Sequence, residues 1–277
     1  IEGVLDVREK GRDAEVANQR TWQLETGFLP VGETFEPFLA GPRQPHFSVS
    51  YMSYIDDPEL EHVGSANFGE TIPIYRGDIN RTAQWEVAIQ GGVFSIFDLD
   101  AESYDLINAD YTVAVPVSVR SGPVSAMLRA THQSSHLGDE YILRNRVNRI
   151  NLSYESIDAC LSLDITSWLR LYGGTRFIVN SIPDDLAEGM GQYGIEMRSP
   201  YLLFDSLRPI AAVDMQQWEE TGWQPDWSIR GGLQIENEWV GNNRVQLLGE
   251  FYKGHSPNGQ FYERRITYTA FGIHFYF

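Results

Sequence analysis

Residues 265–277 read Arg-Ile-Thr-Tyr-Thr-Ala-Phe-Gly-Ile-His-Phe-Tyr-Phe. In an extended chain successive side chains point to opposite faces. Phe271, Ile273, Phe275 and Phe277 therefore share one face, and the stretch reads as a strand with one strongly apolar side. The same period of two recurs upstream. Tyr111, Val113, Val115, Val117 and Val119 alternate with Thr112, Ala114, Pro116 and Ser118, and Trp85, Val87, Ile89, Gly91 and Val93 alternate with Glu86, Ala88, Gln90 and Gly92. Trp227, Ile229, Gly231, Leu233 and Ile235 alternate with Ser228, Arg230, Gly232, Gln234 and Glu236. Sustained alternation of this kind implies strands with one apolar and one polar face.

A soluble sandwich also alternates, so the content of the two faces decides the class. The polar face carries both charge signs (Glu86, Arg170, Arg176, Glu196, Arg198, Asp214, Arg230, Glu236 and Glu250), as a hydrated, salt-bridged lumen would. The apolar face carries aromatics towards strand ends, as interfacial girdles do. The pattern predicts an all-β fold, a transmembrane antiparallel β-barrel of about 12 strands. Strands are expected over 46–54, 66–75, 83–97, 109–119, 123–136, 143–164, 168–179, 191–198, 208–217, 226–237, 244–254 and 265–277. Longer connections alternate with shorter ones, which places the longer set outside the cell and both chain ends on the periplasmic side. Pro116 has no amide to donate to a ladder, so a bulge or strand end is expected there.

Residues 1–45 differ from the rest. Val4 to Val16 is charged and reads as a short helix; a loop with Pro30, Pro37, Pro42 and Pro45 follows. The segment is expected to form a periplasmic or lumen-plugging arm, with the barrel over 46–277.

Composition excludes several classes. The 277 residues hold 38 acidic and 21 basic side chains, a net charge of -17, which disfavours nucleic acid as a partner. The single cysteine, Cys160, permits no internal disulfide and no cysteine-based metal site, and is expected to face lipid or the wall. No run of 18 or more apolar residues reads as a transmembrane helix. No export signal opens the sequence, so a mature or trimmed form is expected.

One hairpin carries chemistry. Residues 131–140 read Thr-His-Gln-Ser-Ser-His-Leu-Gly-Asp-Glu and hold two of the six histidines. If Leu128 meets lipid, His132 and Ser134 also point outward. On the departing strand Ile150, Leu152 and Tyr154 are expected to face lipid, which puts Asn148, Arg146 and Arg144 on that face. A hairpin tip at Glu140 sets His132 opposite Asn148 and Ser134 opposite Arg146, with paired side chains about 4.5–5.5 Å apart at Cβ. Serine needs an adjacent base to become a nucleophile. His132 fits that role and Asn148 the orienting role of a third triad member. Asp139 and Glu140 are hard oxygen donors suited to calcium. Asp98, Asp100 and Glu102 share such spacing but read more simply as a solvated acidic loop, and Arg144, Arg146 and Arg149 fit either lipid phosphate or a salt-bridged rim.

The pair His132 and Ser134 followed by Asn148-Arg149 resembles outer-membrane phospholipase A, a 12-stranded calcium-dependent barrel. The resemblance implies a catalytic set of Ser134, His132 and Asn148. Tyr252-Lys253-Gly254-His255-Ser256 with Tyr262 resembles that family's closing hairpin. The chain departs from it in reading Ser-Ser-His from the nucleophile onward, and in a longer His-to-Asn spacing (148 minus 132 is 16). The stretches 92–100, 132–140 and 255–265 together resemble a bacterial family catalogued as a domain of unknown function, which implies export and a barrel but no activity. The aromatic end at Phe277 resembles the carboxy-terminal signal read by the barrel-assembly machinery.

The expected function is thus an outer-membrane lipid-ester hydrolase acting on outer-leaflet lipids. A small-solute channel, or a scaffold working as a homodimer or with partner proteins, fits the same barrel pattern.

Overall fold

The computed structural model describes residues 23–147, 149–238, 240–241 and 243–277. The expected helix over Val4–Val16 lies outside the described residues. A two-residue strand β1 (Gly27–Phe28) precedes the wall strands β2 (Phe47–Tyr54), β3 (His62–Asp78), β4 (Ala83–Asp98), β5 (Leu106–Ser121), β6 (Val124–Leu137) and β7 (Leu152–Thr166). The wall continues with β8 (Leu169–Ile182), β9 (Gly189–Arg198), β10 (Leu207–Trp218), β11 (Pro225–Ile235), β12 (Arg244–His255) and β13 (Arg265–Tyr276). Neighbours pair antiparallel, and β13 pairs with β2, so β2 to β13 form a closed 12-strand barrel. Closure leaves no open edge, the condition for spanning hydrocarbon with strands. No helix among the described residues is long and apolar enough to cross a membrane.

The alternation divides wall from lumen as read. Val113, Val115, Val117 and Val119 are exposed outside, with Phe271 and Ile273. Exposed Tyr51, Tyr111, Phe177, Tyr193 and Trp227 sit towards the long-loop end, and Tyr75, Trp168 and Phe277 towards the short-turn end, two aromatic belts as an apolar band requires. Inside, Arg170 pairs with Glu196 at 3.2 Å, Arg230 with Glu250 at 2.7 Å and Arg120 with Asp164 at 3.0 Å. Buried charges persist only where a partner and hydrogen bonds replace water, and these do.

Part of the arm fills the lumen. Residues 34–46 are mostly buried. Phe35 and Phe38 pack with Met127, Cys160 and Tyr172; Leu39 and Ala40 pack with Ile210, Ala212 and Leu248. Wall arginines hold the arm by its carbonyls: Arg170 donates to Pro37 and Glu36 at 3.1 and 2.9 Å, and Arg230 to Leu39 at 3.2 Å. Arg76, fully buried, donates to the carbonyls of Glu25 and Val31 at 3.0 and 3.1 Å while pairing with Glu86. Cys160 thus faces the lumen core, not lipid, because the arm supplies an apolar partner there. A third apolar cluster, including Tyr54, Val63, Tyr141, Tyr252 and Tyr268, lies under the long loops.

Two expectations about strands fail. Pro116 produces neither bulge nor strand end: β5 runs through it and keeps its pairing to Arg129 of β6. On the β4 side the register is kept, and only the pairings between Val87↔Val117 and Gln90↔Ala114 drop out. The sixth wall strand does not begin at 143 but at Leu152. Residues Asp139–Asn145 form a helix, α1, with Asp139 and Glu140 in its first turn and Arg144 in its last, the order that suits the helix dipole. Arg146 closes it in a left-handed conformation, and Tyr141 is buried in the cluster under the loops. That burial outweighs strand pairing for this stretch.

Candidate functional site

The outer wall near the long-loop end carries a polar row. On β6, Leu128 is 56 % exposed, so its face is the outer one. His132 and Ser134 share that face, two residues apart, about 6.7 Å along the strand. His132 pairs with Val113 on one side and with Glu155 of β7 on the other. His132 Nδ1 donates to Glu155 Oε1 at 2.7 Å, and both side chains are about half exposed (53 % and 42 %). A carboxylate can only accept, so this bond needs a proton on Nδ1, and among the described residues Nε2 makes no hydrogen bond. Asn180 of β8 donates Nδ2 to Glu155 Oε2 at 2.7 Å and fixes the other oxygen.

Asn180 reaches that face through a bulge. Between β7 and β8 the register steps from Glu155↔Asn180 to Ser156↔Ile178, so Val179 is the extra residue. Ile178 is buried, whereas Val179 and Asn180 are both exposed. Without the inserted residue, period two would turn Asn180 into the lumen. Bulges re-aim side chains in this way, often beside active sites.

Ser134 lies two register pairs nearer the loops, between Tyr111 and Ser153. Among the described residues its Oγ has no hydrogen-bond partner. His136 packs edge-on against Tyr111 and has no part in the row.

The expected partners of the hairpin are corrected here. His132 faces Glu155, and Ser134 faces Ser153, not Arg146. Leu152 and Tyr154 are buried in the lumen, not in lipid. The sequence of β7 offers two apolar alternations, Leu152 with Tyr154, and Ile157 with Leu161 and Leu163. The second faces out, at 40, 64 and 43 % exposure. Counting back from Leu163 by twos would have found Glu155. Asn180 was not legible, because a bulge has no signature in Ile178-Val179-Asn180. Asn148 lies outside the described residues.

The residues do not fit calcium. Asp139 and Glu140 are exposed in the first turn of α1, and among the described residues no three His, Cys, Asp or Glu side chains converge. Calcium takes 6–8 oxygens. The other acidic stretch is committed to protein cations: Asp98 and Asp105 clamp Arg144 at 2.5 and 3.0 Å. Asp100 accepts from His62 Nδ1 at 2.8 Å, and His62 holds its carboxyl below the usual range. Arg144 is therefore a rim salt bridge.

A closed barrel with aromatic belts, a salt-bridged lumen and an outward polar row defines a β-barrel of the outer-membrane type. Residues 7–277 match the model of the family described as "Protein of unknown function (DUF1207)", and the chain belongs to that family. No curated protein sequence matches it. Among solved structures, outer membrane phospholipase A from Escherichia coli is 13 % identical, with a TM-score of 0.59 over 87 % of this chain and 93 % of that one. The Salmonella typhi outer membrane phospholipase dimer with bound calcium gives 13 % and 0.59 over 83 % and 90 %. An outer membrane channel from Pseudomonas putida F1 is 11 % identical, with a TM-score of 0.48 over 87 % and 98 %. At these identities the likeness is one of fold.

Proposed function

We propose that the protein is a lipid-ester hydrolase of the bacterial outer membrane, acting on outer-leaflet lipid through Ser134 and His132, with Glu155 as the orienting carboxylate. One observation carries this reading: the His132–Glu155 hydrogen bond of 2.7 Å on the lipid-facing wall, beside a serine without a partner among the described residues. The fold shared with outer membrane phospholipase A supports it. In the reaction Ser134 Oγ attacks the ester carbonyl carbon and its proton passes to His132 Nε2. Glu155 holds the ring in the required tautomer and stabilises the imidazolium. The tetrahedral adduct collapses, the alcohol leaves with the proton from His132, and the acyl group stays on Ser134. Water, deprotonated by His132, then releases the fatty acid. Glu155 takes the role that the sequence assigned to Asn148, and Asp139 and Glu140 do not enter.

A channel has less support, because residues 34–46 occupy the lumen. The test is fatty-acid release from detergent-dispersed phospholipid. The wild-type chain is expected to release fatty acid, and Ser134→Ala to lose at least about 10³-fold in rate. A wild-type chain without activity, or an unaffected Ser134→Ala, refutes the reading.

A further inference from the structure

Among the described residues, lumen arginines pair mostly with one carboxylate each: Arg76 with Glu86, Arg170 with Glu196, Arg208 with Glu236, Arg230 with Glu250. At the loop end the ratio reverses, and Arg264 holds both Asp57 and Glu59. One place departs in the opposite sense. Arg129 and Arg176 both pair with Asp158, the first through Nε at 2.8 Å, and each side chain is only 11 % exposed. Two guanidinium groups on one carboxylate leave an excess positive charge out of bulk water. Two further carboxylates, Asp226 and Glu220, line the same cavity, and among the described residues neither forms an ion pair with Arg129 or Arg176; Glu220 accepts from the Ala187 amide at 2.6 Å. Asp214 is covered by Tyr172, Gln192 and Gln216, and Asp226 by His255.

Both arginines line a cavity of about 100 Å³ on the lumen side of the wall. Arm residues including Phe38 and Gln44 line it on one side, and Leu186, Glu220 and Tyr262, each half-buried, line its approach from the loops. A water needs about 10–15 Å³ of such space, so the cavity holds about seven to ten waters, or a ligand of comparable size. Beside the guanidinium groups its wall is mixed: Gln133, Gln192 and Gln216 supply amides, and an apolar side runs next to the arginines. Arg176 stacks over Trp218 at 5.6 Å, and Ile178, Met190 and Leu152 surround them. Arg129 spends Nε on Asp158 and Nη1 on Gln90, and among the described residues its Nη2 has no partner; Arg176 spends Nε and Nη2 on Asp158 and Nη1 on the Tyr154 hydroxyl. Convergent cationic donors beside an apolar wall form a ligand site.

We propose that this cavity binds a small organic monoanion, a carboxylate on an apolar or aromatic body, with its charge on Arg129 and Arg176 and its body against Trp218. The site faces the lumen and is separate from the outward row of His132, so it stands independently of the hydrolase reading.

The test is isothermal titration calorimetry on the full chain in micelles, with benzoate and its neutral counterpart benzyl alcohol as probes and micelles alone subtracted. Saturable binding of benzoate is expected, with benzyl alcohol at least about tenfold weaker. Arg129→Gln and Arg176→Gln are each expected to weaken benzoate about 10- to 100-fold, the worth of hydrogen bonds to a charged group. Ser134→Ala is expected to bind benzoate as the wild type does. The benzoate and benzyl alcohol comparison needs no variant, so a misfolded arginine variant leaves it intact. Equal affinity for the two probes, or no saturable benzoate binding, overturns the proposal.

Discussion

The lumen and the outer wall treat polar side chains in opposite ways. Inside, Arg76, Arg170 and Arg230 are nearly dry, yet each is matched by a carboxylate and by carbonyls of the arm. Those charges hold the plug to the wall. Outside, the polar row of His132, Glu155 and Asn180 is about half exposed, and it lies in a wall whose exposed side chains are largely Val, Leu, Ile and aromatic. Polar groups on a lipid-facing wall cost stability, least near the interface and most at the midplane. A row at such a place, oriented by its own hydrogen bonds, is what the proposed hydrolase reading rests on. The lumen teaches how this chain stabilises charge; the row shows where it departs from that habit.

Four substitutions break or sharpen the contrast. The largest effect is expected at Glu155. Glu155→Ala should lower the rate of ester hydrolysis about 10²- to 10⁴-fold while leaving urea unfolding of the folded barrel unchanged. Asn148→Ala is the comparison, and a larger loss there would return the orienting role to Asn148. Next, Arg76→Ala leaves Glu86 buried without its cation and should cost about 3–5 kcal/mol in the same unfolding measurement. An unchanged midpoint would mean that the lumen pairs do not hold the arm. Third, Asn180→Ala, or deletion of Val179 to remove the bulge, should reduce hydrolysis about tenfold, the worth of one hydrogen bond to a charged group. A purely structural Asn180 would alter the unfolding midpoint instead. The smallest effect is expected from replacing His132, Glu155 and Asn180 together with Leu. Stability should hold or rise by about 1 kcal/mol, since function-bearing positions often sit below the stability optimum. A marked loss of stability would show the row to be part of the fold.

Most of the wall was legible because its signal repeats. Eleven of the expected strand segments fall on observed strands, and the inward charges from Glu86 to Glu250 point inward as read. The exception, 143–164, carried the site. The stretch from Asp139 to Asn145 contains residues acceptable to strand and helix alike, and only the burial of Tyr141 under the loops selects the helix. That choice moved the hairpin register, and with it the partner of His132. Pro116 misled in the other direction: a missing donor is tolerated when the β6 side of the strand stays fully paired.

Local alternation sufficed to fix the class of this protein, the side of the wall on which His132 and Ser134 lie, and the ionic character of the interior, because a strand's two faces are set by covalent geometry alone. Which residue meets His132 was decided in three dimensions. Cross-strand partners depend on where a loop ends and where a bulge inserts, and both are settled by packing against segments far away in the chain. The arm is of the same kind: its sequence allows either a periplasmic or a lumen-plugging place, and the lumen places residues 34–46 inside by supplying buried arginines for their carbonyls and apolar partners for Phe35, Phe38 and Leu39.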